Sequence, residues 1–62
     1  MFLITSKIQN RDRSFTTLYL GEEVNMFGQR RYTMDMNKAA LYETAEAAQA
    51  DALANKGTVV EA

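Results

Sequence analysis

The sequence contains no cysteine and no histidine among its 62 residues. The first absence excludes disulfides and thiolate sites, and the second removes the commonest zinc ligand. A single domain of this size, covering residues 1–62, buries only roughly 60% of the surface that its unfolded chain exposes. Because disulfides and a structural zinc site are missing, the sequence predicts that the domain is stabilised by self-association as a homodimer. It predicts no metal and no cofactor.

Long apolar runs are also missing, since no segment approaches the roughly eighteen apolar residues of a membrane span. The first ten residues, "MFLITSKIQN", lack the basic flank, the long apolar stretch and the small-residue cleavage site of a signal peptide. We therefore expect no membrane contact. The lack of cysteine fits a reducing cytoplasm.

The charge is nearly balanced, at −1 overall. This value is typical neither of a strongly basic nucleic-acid binder nor of an acidic DNA mimic. Residues 1–42 carry six basic and four acidic side chains, whereas residues 43–62 carry one basic and four acidic ones. Such a split can orient a head-to-tail contact, although it is also ordinary for a solvated surface.

The first half of the chain has the alternation of β-strands. "FLITSKIQ" is typical of a half-buried strand, and the turn residues of "NRDR" connect it to "SFTTLYLG", which is apolar on both faces. The two segments predict a hairpin whose second strand is central in the sheet. "GEEVNMFGQ" between Gly21 and Gly28 is predicted to be a loop, "RRYTMDM" a short third strand and "TVVEA" a closing strand.

The alanine-rich segment that precedes the closing strand predicts one helix. Thr44 is a candidate N-cap, Glu46 favours the helix dipole, and Lys56 with Gly57 marks the end, which gives a helix from about Ala45 to Lys56. The alternative is one longer helix that starts at position 37 or 38. The predicted fold is α+β, a ββ(β)αβ arrangement in which three to four antiparallel strands pack on one thin alanine helix.

The candidates for chemistry are few. Without histidine or cysteine the usual nucleophile and base pairs are absent, and no phosphate loop, dinucleotide motif or calcium loop occurs. Glu22 and Glu23 form a carboxylate pair that could bind a cation, but such pairs are more often simply solvated. The sequence predicts a protein that is not an enzyme and has no catalytic residues.

Apolar residues that a small domain struggles to bury favour a protein partner. Met26 and Phe27 lie in the glycine-bounded loop, where they either plug the core or remain exposed for binding. On the predicted helix, Ala48 and Ala52 belong to one stripe, and a second stripe remains for another molecule. The predicted partner-binding residues are Met26, Phe27, Ala47, Ala50 and Ala54.

Nucleic-acid binding is the alternative function. Arginine interleaved with aromatic side chains can hold phosphates and stack on bases. If the two arginine pairs converged, they would form a small patch, although nearby acidic residues and the overall charge oppose it. The residues predicted for this function are Arg11, Arg13, Arg30, Arg31 and Tyr32.

The segment "YTMDMNKAALYETAEAA" contains an aromatic residue, an aspartate and then Ala-x-x-aromatic-x-Thr-x-x-x-Ala. It resembles a pattern seen in many small bacterial and bacteriophage proteins of unknown function. The resemblance implies a β-hairpin followed by one capped helix and a closing strand, a phage origin and the cytoplasm of a bacterial host. The residues that carry it are Tyr32, Asp35, Ala39, Tyr42, Thr44 and Ala48.

Overall fold

Four antiparallel strands and one α-helix build the fold, and the computed structural model describes all residues from 1 to 62. The strands are β1 (Phe2–Gln9), β2 (Phe15–Val24), β3 (Arg30–Thr33) and β4 (Thr58–Glu61), in the spatial order β3-β2-β1-β4. The helix, α1 (Ala45–Asn55), packs on one face of the sheet. The predicted α+β fold is confirmed, with β2 in the interior of the sheet as its two apolar faces indicated.

The two hairpins use the same turn. In the β1–β2 turn the Asn10 N–H donates to the Ser14 carbonyl, and the Arg13 N–H donates to the Asn10 carbonyl. Arg13 has φ 72°, so the loop is a three-residue turn that ends in a left-handed residue. This geometry fixes the strand register from Gln9 opposite Phe15 to Thr5 opposite Tyr19.

The β2–β3 turn repeats this geometry with Asn25 and Gly28 in the places of Asn10 and Arg13. The Asn25 N–H donates to the Gln29 carbonyl, and the Gly28 N–H donates to the Asn25 carbonyl. Gly28, at φ 79°, supplies the left-handed residue. The loop predicted between Gly21 and Gly28 is therefore wrong in its first half, because β2 continues through Gly21 to Val24. An irregular register between Leu20 and Val24 accommodates the glycine and the two glutamates that follow it.

The helix begins at Ala45, which agrees with the shorter of the two predicted helices. The Thr44 hydroxyl accepts the Ala47 N–H at 3.2 Å and caps the first turn. Residues 36–38 form a separate 3₁₀ turn capped by Asp35, so one longer helix does not form. At the other end Lys56, and not the glycine after it, adopts the left-handed conformation with φ 59°.

An extended segment, residues 39–42, enters the sheet between its two central strands. Beyond the pair Thr5–Tyr19 the direct pairing of β1 with β2 stops. The Ala40 N–H donates to the Leu20 carbonyl at 2.9 Å, and Phe2 and Tyr42 exchange two backbone hydrogen bonds at 2.7 and 2.8 Å. This segment therefore satisfies backbone groups of both strands and fixes the entry of the chain into α1.

The core lies between α1 and the half of the sheet that the helix covers. Ile4, Leu20, Ala48 and Ala52 are completely buried, and larger side chains pack around them. The strands supply the bulk and the helix supplies methyl groups, so the helix approaches the sheet closely. The partly buried residues around this core are Phe2, Tyr32, Tyr42 and Val59.

At 11 residues, α1 is too short to cross a membrane, and no other helix of the structure is long and apolar enough to do so.

Candidate partner-binding site

The tip of the β2–β3 hairpin presents two large apolar side chains to solvent. Met26 is 91% exposed and Phe27 is 80% exposed. The sequence left open whether these residues plug the core or remain on the surface, and the structure places both on the surface. Val24, at the base of the same hairpin, is also exposed. The three side chains form an exposed apolar surface at the end of the hairpin.

Asn25 holds this tip in a fixed conformation. Its Oδ1 accepts the Phe27 N–H at 2.9 Å and the Gln29 N–H at 3.0 Å, in addition to the two backbone hydrogen bonds of the turn. The Asn25 amide also donates to the Gln29 side chain at 3.4 Å. All five of these bonds involve Asn25 and close the loop, so Met26 and Phe27 are displayed on a backbone that is already ordered.

A groove of about 540 Å³ runs between this hairpin and the C-terminal half of α1. Ala54, from the second alanine stripe, lines its helix side. The groove therefore connects two parts of the predicted partner-binding set, the hairpin tip and one end of the stripe. The complete lining is Gly28, Gln29, Arg30, Tyr32, Asp51, Ala54 and Asn55.

Two of the residues that line the groove, Arg30 and Asp51, form a hydrogen-bonded ion pair. Arg30 Nη1 donates to Asp51 Oδ2 at 2.7 Å, and the Tyr42 hydroxyl donates to the same oxygen at 2.7 Å. The Arg30 Nε donates to the Gly21 carbonyl at 2.9 Å. These contacts tie β2, β3 and α1 together. Sequence reasoning missed the pair, because Arg30 and Asp51 are 21 residues apart and no local pattern joins them.

The electrostatics of this cluster follow from the shared oxygen. The hydrogen bond from Tyr42, followed by the bond and charge of Arg30, lowers the pKa of Asp51 below its usual value of 3.8. Partial burial, together with the neighbouring carboxylate, raises the pKa of Tyr42 above 10.0. Both shifts favour a charged aspartate and a neutral, donating tyrosine at neutral pH. The cluster thus acts as a fixed structural tie.

The second alanine stripe lies on the outer face of α1. Ala47, Ala50 and Ala54 are all exposed, while Ala48 and Ala52 of the first stripe are buried against the sheet. Leu53 lies beside the second stripe and is 74% exposed. A role for these residues in self-association stays a prediction.

The residues of the nucleic-acid alternative do not come together. Arg11 and Arg13 lie in the β1–β2 turn, whereas Arg30 begins β3 opposite Val24, at the far end of β2. The ten residues of β2 separate these ends by nine steps, about 30 Å at a rise of roughly 3.3 Å per residue.

Two further members of that set are held within the fold. Arg30 is bonded to Asp51, and the Tyr32 hydroxyl donates to the Asn55 carbonyl at 2.9 Å. Arg31 remains exposed on β3. The five residues therefore form no single basic patch. Glu22 and Glu23 lie within β2 and not in a loop, and the structure contains no group of three or more carboxylates that could hold a metal ion.

The residues of the phage-type pattern have structural roles. Asp35 accepts the Asn37 N–H at 2.9 Å and caps the 3₁₀ turn, while Thr44 caps α1. Ala39 forms a β-bridge with Gly21, where residues 39–42 lie between β1 and β2. The aromatic residues Tyr32 and Tyr42 each donate a hydrogen bond to α1, and Ala48 is a residue of α1 that is buried against the sheet. A scan of protein-family models, a search of curated proteins and a search of solved structures each found no match.

Proposed function

We propose that this protein is a small non-enzymatic accessory module that binds a protein of a bacterial host or of a virus. The proposal includes a phage origin, which is supported by the resemblance of residues 32–48 to small phage-type proteins. The observation that carries the proposal is the hairpin tip, where Met26 and Phe27 are 91% and 80% exposed on an ordered loop.

Exposed methionine and aromatic side chains are enriched at the centres of protein interfaces. Here they are displayed without the usual entropic cost of ordering a loop, because Asn25 already closes the turn. The groove beside the tip offers the partner a recess that is lined in part by the Arg30–Asp51 ion pair. The tip, the groove and Ala54 together form the proposed partner-binding site.

The first test is affinity capture from a lysate of the native host, using wild-type protein and the double variant Met26→Ser/Phe27→Ser. The control is Leu53→Ser, which removes another exposed apolar side chain, 74% exposed, from α1. We expect a captured protein to be lost with the double variant and kept with the control. Equal capture by all three proteins would contradict a role for the tip.

The second test separates the groove from the rest of the alanine stripe. Ala54→Gln places a longer side chain at the wall of the groove, and Ala47→Gln makes the same change on an exposed helical position that does not line it. We expect only Ala54→Gln to weaken binding of the captured partner, by about tenfold, as a steric block at an interface does. A larger effect of Ala47→Gln would contradict the groove as the binding site and would place the contact near the N-terminal end of α1.

Nucleic acid is the alternative ligand. A salt-dependent shift of DNA or RNA that Arg30→Ala and Arg31→Ala weaken, with no captured protein, would replace the present proposal with the nucleic-acid function. Because Arg30 also ties β3 to α1, Arg31→Ala is the cleaner of the two variants.

A further inference from the structure

The half of the β1–β2 hairpin near its turn projects from the body of the molecule as a two-stranded arm, Ser6–Leu18. β4 joins the sheet only up to the pair Thr5–Thr58, and β3 joins it only up to Tyr19–Thr33. Beyond these pairs neither edge of the hairpin has a neighbouring strand. Within the arm Ile8 is 50% exposed and Phe15 is 63% exposed.

An isolated two-stranded ribbon is marginally stable in water. The accessible surface of the whole molecule is also larger than expected for its mass. A folded monomer of 7.0 kDa is expected to expose about 4,000 Å², whereas this chain exposes 4854 Å². The difference, roughly 800 Å², is about what each subunit buries in an interface of standard size.

The two edges of the arm differ in chemistry. The edge on β1, residues 6–9, carries Lys7, and the outer strands carry Arg30, Arg31 or Glu61. Such charges are how proteins protect sheet edges from pairing with other chains. The edge on β2, with the sequence "FTTL" at residues 15–18, carries no charge and consists of aromatic, β-branched and aliphatic residues. It is the one unprotected edge of the sheet.

The turn shows which backbone groups of this edge are free. The Asn10 N–H donates to the Ser14 carbonyl, so this opposed pair is of the hydrogen-bonded type. Hydrogen-bonded pairs alternate along an antiparallel ladder, which assigns Ile8–Thr16 to the same type. The N–H and C=O groups of Phe15 and Thr17 therefore point away from β1, toward the unprotected edge.

We infer that two copies of this chain pair through this edge, with β2 antiparallel to β2 across a two-fold axis at Thr16. This register lets Phe15 of each copy exchange two hydrogen bonds with Thr17 of the other, which makes four in all. Moving the axis to Thr17 would oppose Phe15 to Tyr19, whose outward groups β3 already occupies. The aromatic and β-branched side chains then pack as cross-strand pairs. The arm is distinct from the proposed partner-binding site, so neither proposal depends on the other.

Disulfide cross-linking tests the axis directly, because the natural chain has no cysteine. In the proposed dimer the two Thr16 residues form a non-hydrogen-bonded pair with Cα atoms about 4.5 Å apart, within disulfide reach. We expect Thr16→Cys to oxidise rapidly to a covalent dimer. Ile8→Cys, across the arm, and Ala50→Cys, on the outer stripe of α1, serve as controls. Faster cross-linking of either control than of Thr16→Cys would overturn the proposal.

Sedimentation equilibrium from micromolar to millimolar concentration supplies the second measurement. Thr17→Pro removes an outward N–H of the unprotected edge, while Lys7→Pro makes the same change directly opposite, on the protected edge. We expect Thr17→Pro to raise the dimer Kd by about tenfold or more, because hydrogen bonds are lost, and Lys7→Pro to leave it nearly unchanged.

Phe15→Lys tests the same edge without a proline, so the proposal can still be tested if the proline variants misfold. The Phe15 side chain is mostly exposed, and we expect the added charge to weaken the dimer as well. A wild-type protein that stays monomeric at millimolar concentration would overturn the proposal. So would a monomer whose arm signals in NMR shift on addition of a short DNA duplex, since the arm would then belong to a nucleic-acid contact.

Discussion

Replacing Gly57 with alanine probes the close approach of the chain after α1 to the sheet. A Cβ at this position would overlap the Ile4 Cγ2 and would lie 2.7 Å from the Tyr32 hydroxyl and 3.2 Å from the Thr5 carbonyl oxygen. Ile4 is completely buried and its β-branched side chain has little rotational freedom. The added methyl group therefore has no space without displacement of the core.

The expected cost combines two effects. Overpacking of a filled core costs about 1–3 kcal/mol. Displacing the Tyr32 hydroxyl from the Asn55 carbonyl, 2.9 Å away, removes a hydrogen bond of about 1 kcal/mol. A chain of 62 residues has a free energy of unfolding of roughly 3–9 kcal/mol in total. We therefore expect Gly57→Ala to lose about 2–4 kcal/mol and more than about 10 °C in Tm.

Circular dichroism melts at fixed protein concentration measure this loss. Tyr32→Phe removes the hydroxyl near the new methyl, so the double variant Gly57→Ala/Tyr32→Phe should lose less than the sum of the single variants. Gly28→Ala is the contrasting glycine change, since no atom lies within 4 Å of its added Cβ and only its φ of +79° opposes it. A Gly57→Ala protein within about 0.5 kcal/mol of wild type would refute the packing argument.

Three further changes test other parts of the fold. Lys56→Gly should raise the free energy of unfolding by about 1 kcal/mol in denaturant melts, because Lys56 is held at φ 59° where glycine is unstrained; a loss of stability would contradict this. Thr44→Ala should lower it by about 1 kcal/mol through loss of the helix cap, and Thr44→Ser should restore most of the loss. The pKa of Asp51 is lowered in the folded state, so its stabilising contribution is complete above the ordinary aspartate pKa of 3.8 and is lost as pH falls through the lower folded pKa. Asp51→Asn should therefore flatten the decline of Tm at acid pH, and an unchanged acid slope would argue against the Asp51 tie to Tyr42 and Arg30.

Local patterns predicted most of the fold. Period-two alternation identified the hairpin and β4, and Thr44 identified the start of α1, because strands and caps are encoded by neighbouring residues. The end of β2 does not follow from local patterns, because a glycine such as Gly21 usually marks the start of a loop, whereas this strand continues past it to Val24. The repeated spacing of Asn10 and Asn25 before their left-handed turn residues is the signal that would have located the second turn correctly.

The candidate site was predictable only in part. The sequence pointed to Met26 and Phe27, but whether a loop residue is buried depends on where the loop lies relative to the core, which no local pattern contains. The groove and the Arg30–Asp51 ion pair in its lining arise from residues brought together by the sheet and the helix. Likewise, the separation of the two arginine pairs follows from strand length and topology and cannot be obtained from composition.

Methyl NMR of the methionines tests the central claim, that the hairpin tip binds a protein partner. The chain has four methionines, at positions 1, 26, 34 and 36, all exposed, so one spectrum reports on the tip and on three other surface points at once. On titration with the captured partner, we predict that the Met26 methyl signal shifts or broadens first and most strongly while Met1 stays unchanged. A Met26 signal that remains constant while Met1, Met34 or Met36 responds would contradict the account.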